Sequence, residues 1–71
     1  MYKNVFVHSS SFVEKDCLIG ERTKIWHFSN ILSKVKIGKN CVIGQNVMIG
    51  KKVTLGNNCK IQNNVSLFEG V

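Results

Sequence analysis

The sequence contains no proline and no long apolar segment. Proline has no backbone N–H to donate, so its absence suits a continuous ladder of strand hydrogen bonds. No apolar run approaches the roughly 20 residues that a membrane span needs. Residues 1–4 also lack the apolar core of a signal peptide. These absences predict a cytoplasmic protein without a membrane partner.

Cysteine and histidine are too few, and wrongly spaced, for a metal site. The three cysteines form no C-x-x-C pair, so neither a zinc cluster nor a secreted disulfide framework is supported. Nothing basic stands beside them to activate a thiolate. We assign Cys17, Cys41 and Cys59 to the core and expect no metal.

Acidic residues are also scarce, which leaves a net charge of +6. A solvated lysine-rich surface is the ordinary interpretation of such a charge. The functional interpretation is attraction to phosphates, on nucleic acid or on small ligands. Aromatic residues are few and no nucleic-acid motif is present. We therefore expect phosphorylated small molecules as ligands and no nucleic acid.

What the chain does have is an internal repeat of six residues. An aliphatic residue recurs at every sixth position from 7 to 67, and a small or β-branched residue stands two positions before each one. The residue after the aliphatic one is often glycine, and Asn or other polar residues come next. Gly and Asn tolerate turns with positive φ. Each hexad therefore predicts one short strand and one corner. A helix is excluded, because a period of six would spread the apolar residues over all its faces.

Three hexads close a triangle, so residues eighteen apart stack on one another. The fold class predicted is all-β, a single-stranded parallel β-helix of about 3.5 coils with a triangular cross-section. Residues 1–71 form one domain. A chain this short buries only about 60% of its unfolded surface, so oligomerisation is an expected source of stability.

The stacking turns the corners into three ridges. The first ridge comprises residues 26–28, 44–46 and 62–64; the second comprises 14–16, 32–34, 50–52 and 68–70; the third comprises 20–22, 38–40 and 56–58. Lysines of the second ridge (Lys15, Lys34, Lys51 and Lys52) either meet cofactor phosphates or form a solvated charged surface.

The first ridge departs most from the repeat. It stacks His27, Gln45 and Asn63 in one column, and Trp26 stands where glycine is usual. The candidate substrate-binding residues are Trp26, Gln45, Asn46, Gln62, Asn63 and Asn64. His27 is the candidate general base, since imidazole titrates near neutral pH. A structural alternative stays open: stacked amides form hydrogen-bonded ladders, and Trp26 and Phe28 pack against a neighbouring subunit. His8 is interpreted as an N-terminal capping residue.

Several short segments are more specific than the repeat itself. They read IWHFS at 25–29, IGQNV at 43–47, IG at 49–50, KIQNNVS at 60–66 and EGV at 69–71. Over nearly the whole chain they resemble the amino-terminal coils of hexapeptide-repeat acyltransferases that acetylate the 3-amino group of UDP-linked 2-acetamido-hexuronic acids for surface polysaccharides, including lipopolysaccharide. The left hand of the β-helix is implied by this resemblance alone.

The resemblance implies a homotrimer with active sites in the clefts between subunits, acetyl-CoA as co-substrate, a nucleotide-sugar as substrate and no metal. Members of that family are more than twice as long, and this sequence stops in mid-coil. We therefore expect either a nucleotide-sugar N-acetyltransferase or its truncated substrate-binding half. The alternative is a non-catalytic trimerising β-helix module. A γ-class carbonic anhydrase, which shares the fold, is rejected because its zinc needs three histidines and this chain has two.

Overall fold

The six-residue repeat builds eleven two-residue strands in the computed structural model, which describes residues 4–68. The last repeat position, Val71, and the segment at 69–71 lie outside the described residues. The strands are β1 (Phe6–Val7), β2 (Phe12–Val13), β3 (Leu18–Ile19), β4 (Lys24–Ile25), β5 (Asn30–Ile31), β6 (Lys36–Ile37), β7 (Val42–Ile43), β8 (Met48–Ile49), β9 (Thr54–Leu55), β10 (Lys60–Ile61) and β11 (Ser66–Leu67).

The strands stack into three parallel sheets, one for each side of the prism. Sheet A has the order β1-β4-β7-β10, sheet B has β11-β8-β5-β2, and sheet C has β3-β6-β9. The register pairs Phe6 with Lys24 and Val7 with Ile25, which confirms the predicted coil of eighteen residues. The result is an all-β solenoid of about three turns, consistent with a left-handed β-helix. Between residues 4 and 68 no helix is found that could cross a membrane.

The interior follows the predicted alternation of large and small residues. Ile25, Ile31, Ile43 and Ile49 are completely buried, and the smaller Val35 and Cys41 fill the space between such aliphatic residues. The first residue of each strand points outward instead, because neighbouring strand residues face opposite sides of a sheet. The core is thus one apolar column, and the corners are the positions at which candidate functional residues are expected.

Each corner from residues 14–16 to residues 62–64 contains one residue in the left-handed conformation. Positive φ angles between 54° and 66° recur at every sixth residue from Asp16 to Asn64. Four of these positions are Asn, which tolerates the conformation, but Phe28 also adopts it, with φ of 56°. The sequence prediction was right for asparagine.

Gly20, Gly38, Gly44 and Gly56 do not have positive φ, so the expectation that glycine supplies this conformation is wrong at these four positions. A Cβ on Gly20 would lie 2.6 Å from the carbonyl carbon of Gly38 and 2.7 Å from the backbone nitrogen of Lys39. Glycine is needed there because the next coil approaches too closely for any side chain. A Cβ on Gly56, in the last level of the same column, would meet nothing within 4 Å.

Buried hydroxyl and thiol groups tie successive coils together. Thr23 donates from Oγ1 to the carbonyl of Gly38 at 2.8 Å and accepts the backbone N–H of Cys41 at 3.2 Å. Ser29 repeats this pattern by donating to the Gly44 carbonyl at 2.7 Å. These bonds satisfy polar groups inside the prism that no water reaches.

The cysteines take the same inward position. Cys17 donates to the carbonyl of Leu32 at 3.0 Å and Cys41 to that of Gly56 at 3.1 Å. None of the three cysteines forms a disulfide within residues 4–68. Cys17 and Cys41 are buried as expected, whereas Cys59 is only half-buried because it belongs to the last described coil.

Candidate functional site

The first ridge runs along one edge of the prism, immediately after the strands of sheet A. The structure extends it upward by one level, because β1 pairs with β4 and so places residues 8–10 over residues 26–28. Backbone bonds join the levels: Asn46 donates to the carbonyl of His27 at 3.0 Å, and Asn64 to that of Gln45 at 2.8 Å. All seven predicted site residues therefore lie on one continuous surface.

His27 lies between rings. Its imidazole centroid is 3.9 Å from that of His8 and 6.2 Å from that of Trp26. The Nδ1 atom of His27 is buried and has no hydrogen-bond partner among residues 4–68. The side chain as a whole is half-buried. Of the two ring nitrogens, Nδ1 is therefore closed to an added ligand.

His8 does more than the capping that the sequence analysis assigned to it. Its Nδ1 accepts the backbone N–H of Ser10 at 3.1 Å and lies 2.8 Å from the Ser10 hydroxyl oxygen. That hydroxyl oxygen in turn accepts the backbone N–H of Phe28 at 3.0 Å. Because Nδ1 is an acceptor here, the neutral His8 ring carries its proton on Nε2. The sequence lacked a signal for this, because the link depends on a side chain that reaches the next coil.

The amides of the lower ridge are partly structural. Asn63 accepts the backbone N–H of Gln45 through Oδ1 at 2.9 Å. On the third ridge, Asn57 accepts the N–H of Lys39 in the same way at 2.8 Å. The structural alternative is therefore supported for the oxygen of Asn63, although the bond runs to backbone rather than between side chains.

The other amide side chains of the ridge are exposed. Within the described part of the chain, no hydrogen bond engages the side chains of Gln45, Asn46, Gln62 or Asn64. An amide carries both donors and an acceptor, so four free amides form a surface suited to hydroxyl-rich ligands. We call Gln45, Asn46, Gln62, Asn63 and Asn64 the amide cluster.

The upper part of the same ridge is aromatic. Phe6, His8, Trp26, His27 and Phe28 form one chain of ring contacts, which we call the aromatic cluster. Phe6 and Trp26 meet with centroids 5.2 Å apart. Trp26 and Phe28 stand out in the sequence, but Phe6 does not, because its position in the first strand gives no sign that it contacts the corner. The ridge thus has an aromatic end and an amide end.

A second surface lies beside the second ridge. A cavity of about 400 Å³ is lined by Leu32, Met48, Gly50, Lys51 and Phe68. Three of these side chains are apolar and one is cationic, so the cavity combines an apolar wall with a phosphate-attracting group. Lys15, Lys34 and Lys52 on this ridge are exposed to solvent. The exposure of these lysines agrees with a solvated charged surface.

No group of three or more His, Cys, Asp or Glu side chains able to hold a metal ion occurs within residues 4–68. The two histidine rings contact each other in a tilted arrangement, with centroids 3.9 Å apart and an interplanar angle of 42°.

These features define a hexapeptide-repeat β-solenoid: a six-residue repeat whose strands stack into three parallel sheets. The chain belongs to the family described as bacterial transferase hexapeptide (six repeats), which matches residues 16–51 and 34–68. No curated protein gives a significant match. Membership makes an acyltransferase-type protein or a β-helix module the supported class.

Proposed function

We propose that the chain is an acetyl-CoA-dependent N-acetyltransferase that acts on an amino sugar linked to a nucleotide, in bacterial surface-polysaccharide biosynthesis. The observation that carries this proposal is the column of His27, Gln45 and Asn63 on the first ridge of a transferase-family solenoid. The finer assignment to UDP-2-acetamido-3-amino-hexuronate substrates is supported by the segments IWHFS, IGQNV and KIQNNVS.

The proposed chemistry needs one proton acceptor beside a hydrogen-bonding wall. The sugar amine attacks the thioester carbonyl, a C–N bond forms, and the C–S bond breaks to release CoA as the thiol. His27 takes the amine proton through Nε2, because its Nδ1 is buried against neighbouring rings, and then gives that proton to the departing sulfur. The amide cluster holds the sugar hydroxyls in the orientation that brings the amine to His27.

The cavity beside the second ridge fits the acyl donor. Leu32, Met48 and Phe68 supply apolar contact for the pantetheine arm, and Lys51 supplies charge for phosphate. Hexapeptide-repeat proteins commonly use acyl-CoA and commonly form trimers. We propose that in a homotrimer this surface of one subunit faces the first ridge of its neighbour. A site so divided would be incomplete in the monomer.

The test replaces His27 by Asn, the residue that the repeat itself places in this column at position 63. We expect His27→Asn to fold and to lower acetyl transfer about 10²- to 10⁴-fold, the usual size of general-base catalysis. Acetylated nucleotide-sugar is measured by mass spectrometry, which avoids the background of the protein's own thiols. Phe12→Asn is the control, because Phe12 lies on sheet B and pairs in register with Asn30.

A non-catalytic trimerising β-helix module is the second candidate. The bond that the Gln45 backbone N–H donates to Asn63 Oδ1 favours it, since Lys39 donates in the same way to Asn57 on the third ridge. This candidate predicts a stable trimer by light scattering and no acetylated product at any enzyme concentration. Product formation that depends on His27 eliminates it.

A further inference from the structure

The aromatic cluster is exposed to a degree that the fold does not require. Phe28 is 64% exposed, Phe6 is 43% exposed and Trp26 is 36% exposed. The cluster also includes the only tryptophan and both histidines of the chain. Contiguous exposed apolar surface of this kind marks a binding site more often than chance.

The columns show that the repeat does not need rings here. The position of Trp26 is taken by Gly44 and Gln62 in the next coils, and that of Phe28 by Asn46 and Asn64. Phe28 has φ of 56°, a conformation that Asn tolerates better than a bulky residue. Phe28 therefore adopts a strained backbone conformation that Asn would tolerate better, whereas the lower coils of the same ridge carry amides.

The change from rings to amides along one edge matches a ligand with a flat apolar end and a hydroxyl-rich end. Stacked coils are about 4.8 Å apart, so the two clusters lie side by side. Lys24 is exposed on sheet A and pairs in register with Phe6, which places a cation next to the rings. A nucleotide-sugar has groups for all three: a planar base for the rings, a diphosphate for the cation and a hydroxyl-rich sugar for the amides.

We infer that the aromatic cluster is a stacking platform for the planar base of a nucleotide, with Phe28 and Trp26 as the ring surfaces and Lys24 beside the phosphate. This inference deepens the proposed function and rests on it for the identity of the ligand. Base–aromatic stacking contributes about 1–3 kcal/mol per base and accepts any base, because every base has a π-face. The base belongs either to the nucleotide-sugar or to the adenosine end of the acyl donor.

Trp26 makes the platform directly observable, because it is the only tryptophan. The full chain is excited at 295 nm and titrated with uridine monophosphate, adenosine monophosphate and ribose 5-phosphate. We expect saturable quenching by at least one of the two nucleotides and none by ribose 5-phosphate, which has the anion without the base. Stronger binding of the uridine nucleotide assigns the platform to the sugar substrate, and stronger binding of the adenosine nucleotide assigns it to the acyl donor.

One variant and one matched control test whether the Phe28 ring stacks on the base. Phe28→Asn removes a ring and installs the residue that the repeat uses at positions 46 and 64, so the variant is expected to fold. It should weaken nucleotide binding about tenfold or more. Phe12→Asn removes a ring that is 63% exposed on sheet B and should leave binding unchanged.

Three results overturn the inference. One is equal quenching by ribose 5-phosphate, and another is an equal loss of binding in both variants. The third is a blue-shifted Trp26 emission that does not change when nucleotide is added, because it means that a neighbouring subunit covers the rings. Failure of the proposed function looks different. Nucleotide binding that depends on Phe28, without acetyl transfer, supports the stacking platform and contradicts the transferase function. Acetyl transfer that Phe28→Asn does not affect supports the transferase function and contradicts the stacking platform.

Discussion

The Oδ1 atom of Asn63 occupies the space that a Cβ on Gly44 would need. The same oxygen accepts the backbone N–H of Gln45 at 2.9 Å. The absence of a side chain at Gly44 therefore leaves space for Asn63 of the next coil, which stabilises the Gly44 coil through this hydrogen bond. Gly38 and Asn57 form an equivalent pair on the third ridge.

Gly44 and Asn63 should be energetically coupled. Gly44→Ala displaces the Asn63 side chain and is expected to cost about 1–3 kcal/mol, as overpacking usually does. In an Asn63→Ala background the same change should cost at least about 0.5 kcal/mol less, since part of the clash is gone. Urea unfolding of the two single variants and the double variant measures this difference. Strict additivity would mean that the two residues do not share the space.

Glycines of one column should respond differently to alanine. Gly20→Ala drives a Cβ into the backbone of Gly38 and Lys39, so we expect a loss of more than about 1 kcal/mol. Gly56→Ala meets nothing within 4 Å and should be neutral or stabilise by about 0.4–1 kcal/mol through the unfolded state. Thermal unfolding of both variants tests the comparison. A large loss at Gly56 would show that another coil or subunit covers it.

Two threonines offer a matched test of the buried hydroxyl bonds. Thr23→Val keeps the shape of the side chain but leaves the Gly38 carbonyl and the Cys41 N–H without their partner, at an expected cost of about 1–3 kcal/mol. Thr54→Val changes an exposed residue at the start of β9 and should stay within about 0.5 kcal/mol of the parent. Chemical denaturation is the measurement. Equal effects at the two positions would contradict the assigned role.

The three thiols should react at different rates. Cys41 is completely buried and Cys17 is 6% exposed, whereas Cys59 is half-buried in the last described coil. Ellman's reagent should therefore titrate one thiol quickly in the native protein and all three in denaturant. Cys59→Val should remove the fast phase, and Cys41→Val should leave it in place. If the fast phase survives Cys59→Val, the order of burial is different from the one described.

Periodicity alone was enough to predict the strands, the eighteen-residue coil and the ridge on which His27, Gln45 and Asn63 meet. A residue two positions before an aliphatic one must point inward, whatever its rotamer, because strand neighbours alternate between faces. The same count predicted the burial of Cys17 and Cys41. These features depend only on backbone direction, which a regular repeat determines.

Only the tertiary structure decided how individual corner side chains are used. The sequence placed Asn63 and Gln45 in one column, but the rotamer of Asn63 directs its oxygen to a backbone N–H of the coil before. Likewise, the contact of Phe6 with Trp26 joins a strand to a corner of the next coil. These contacts join residues eighteen and twenty positions apart, where side-chain direction and length matter as much as register. A six-residue repeat specifies which residues are neighbours, whereas packing between coils determines which atoms meet.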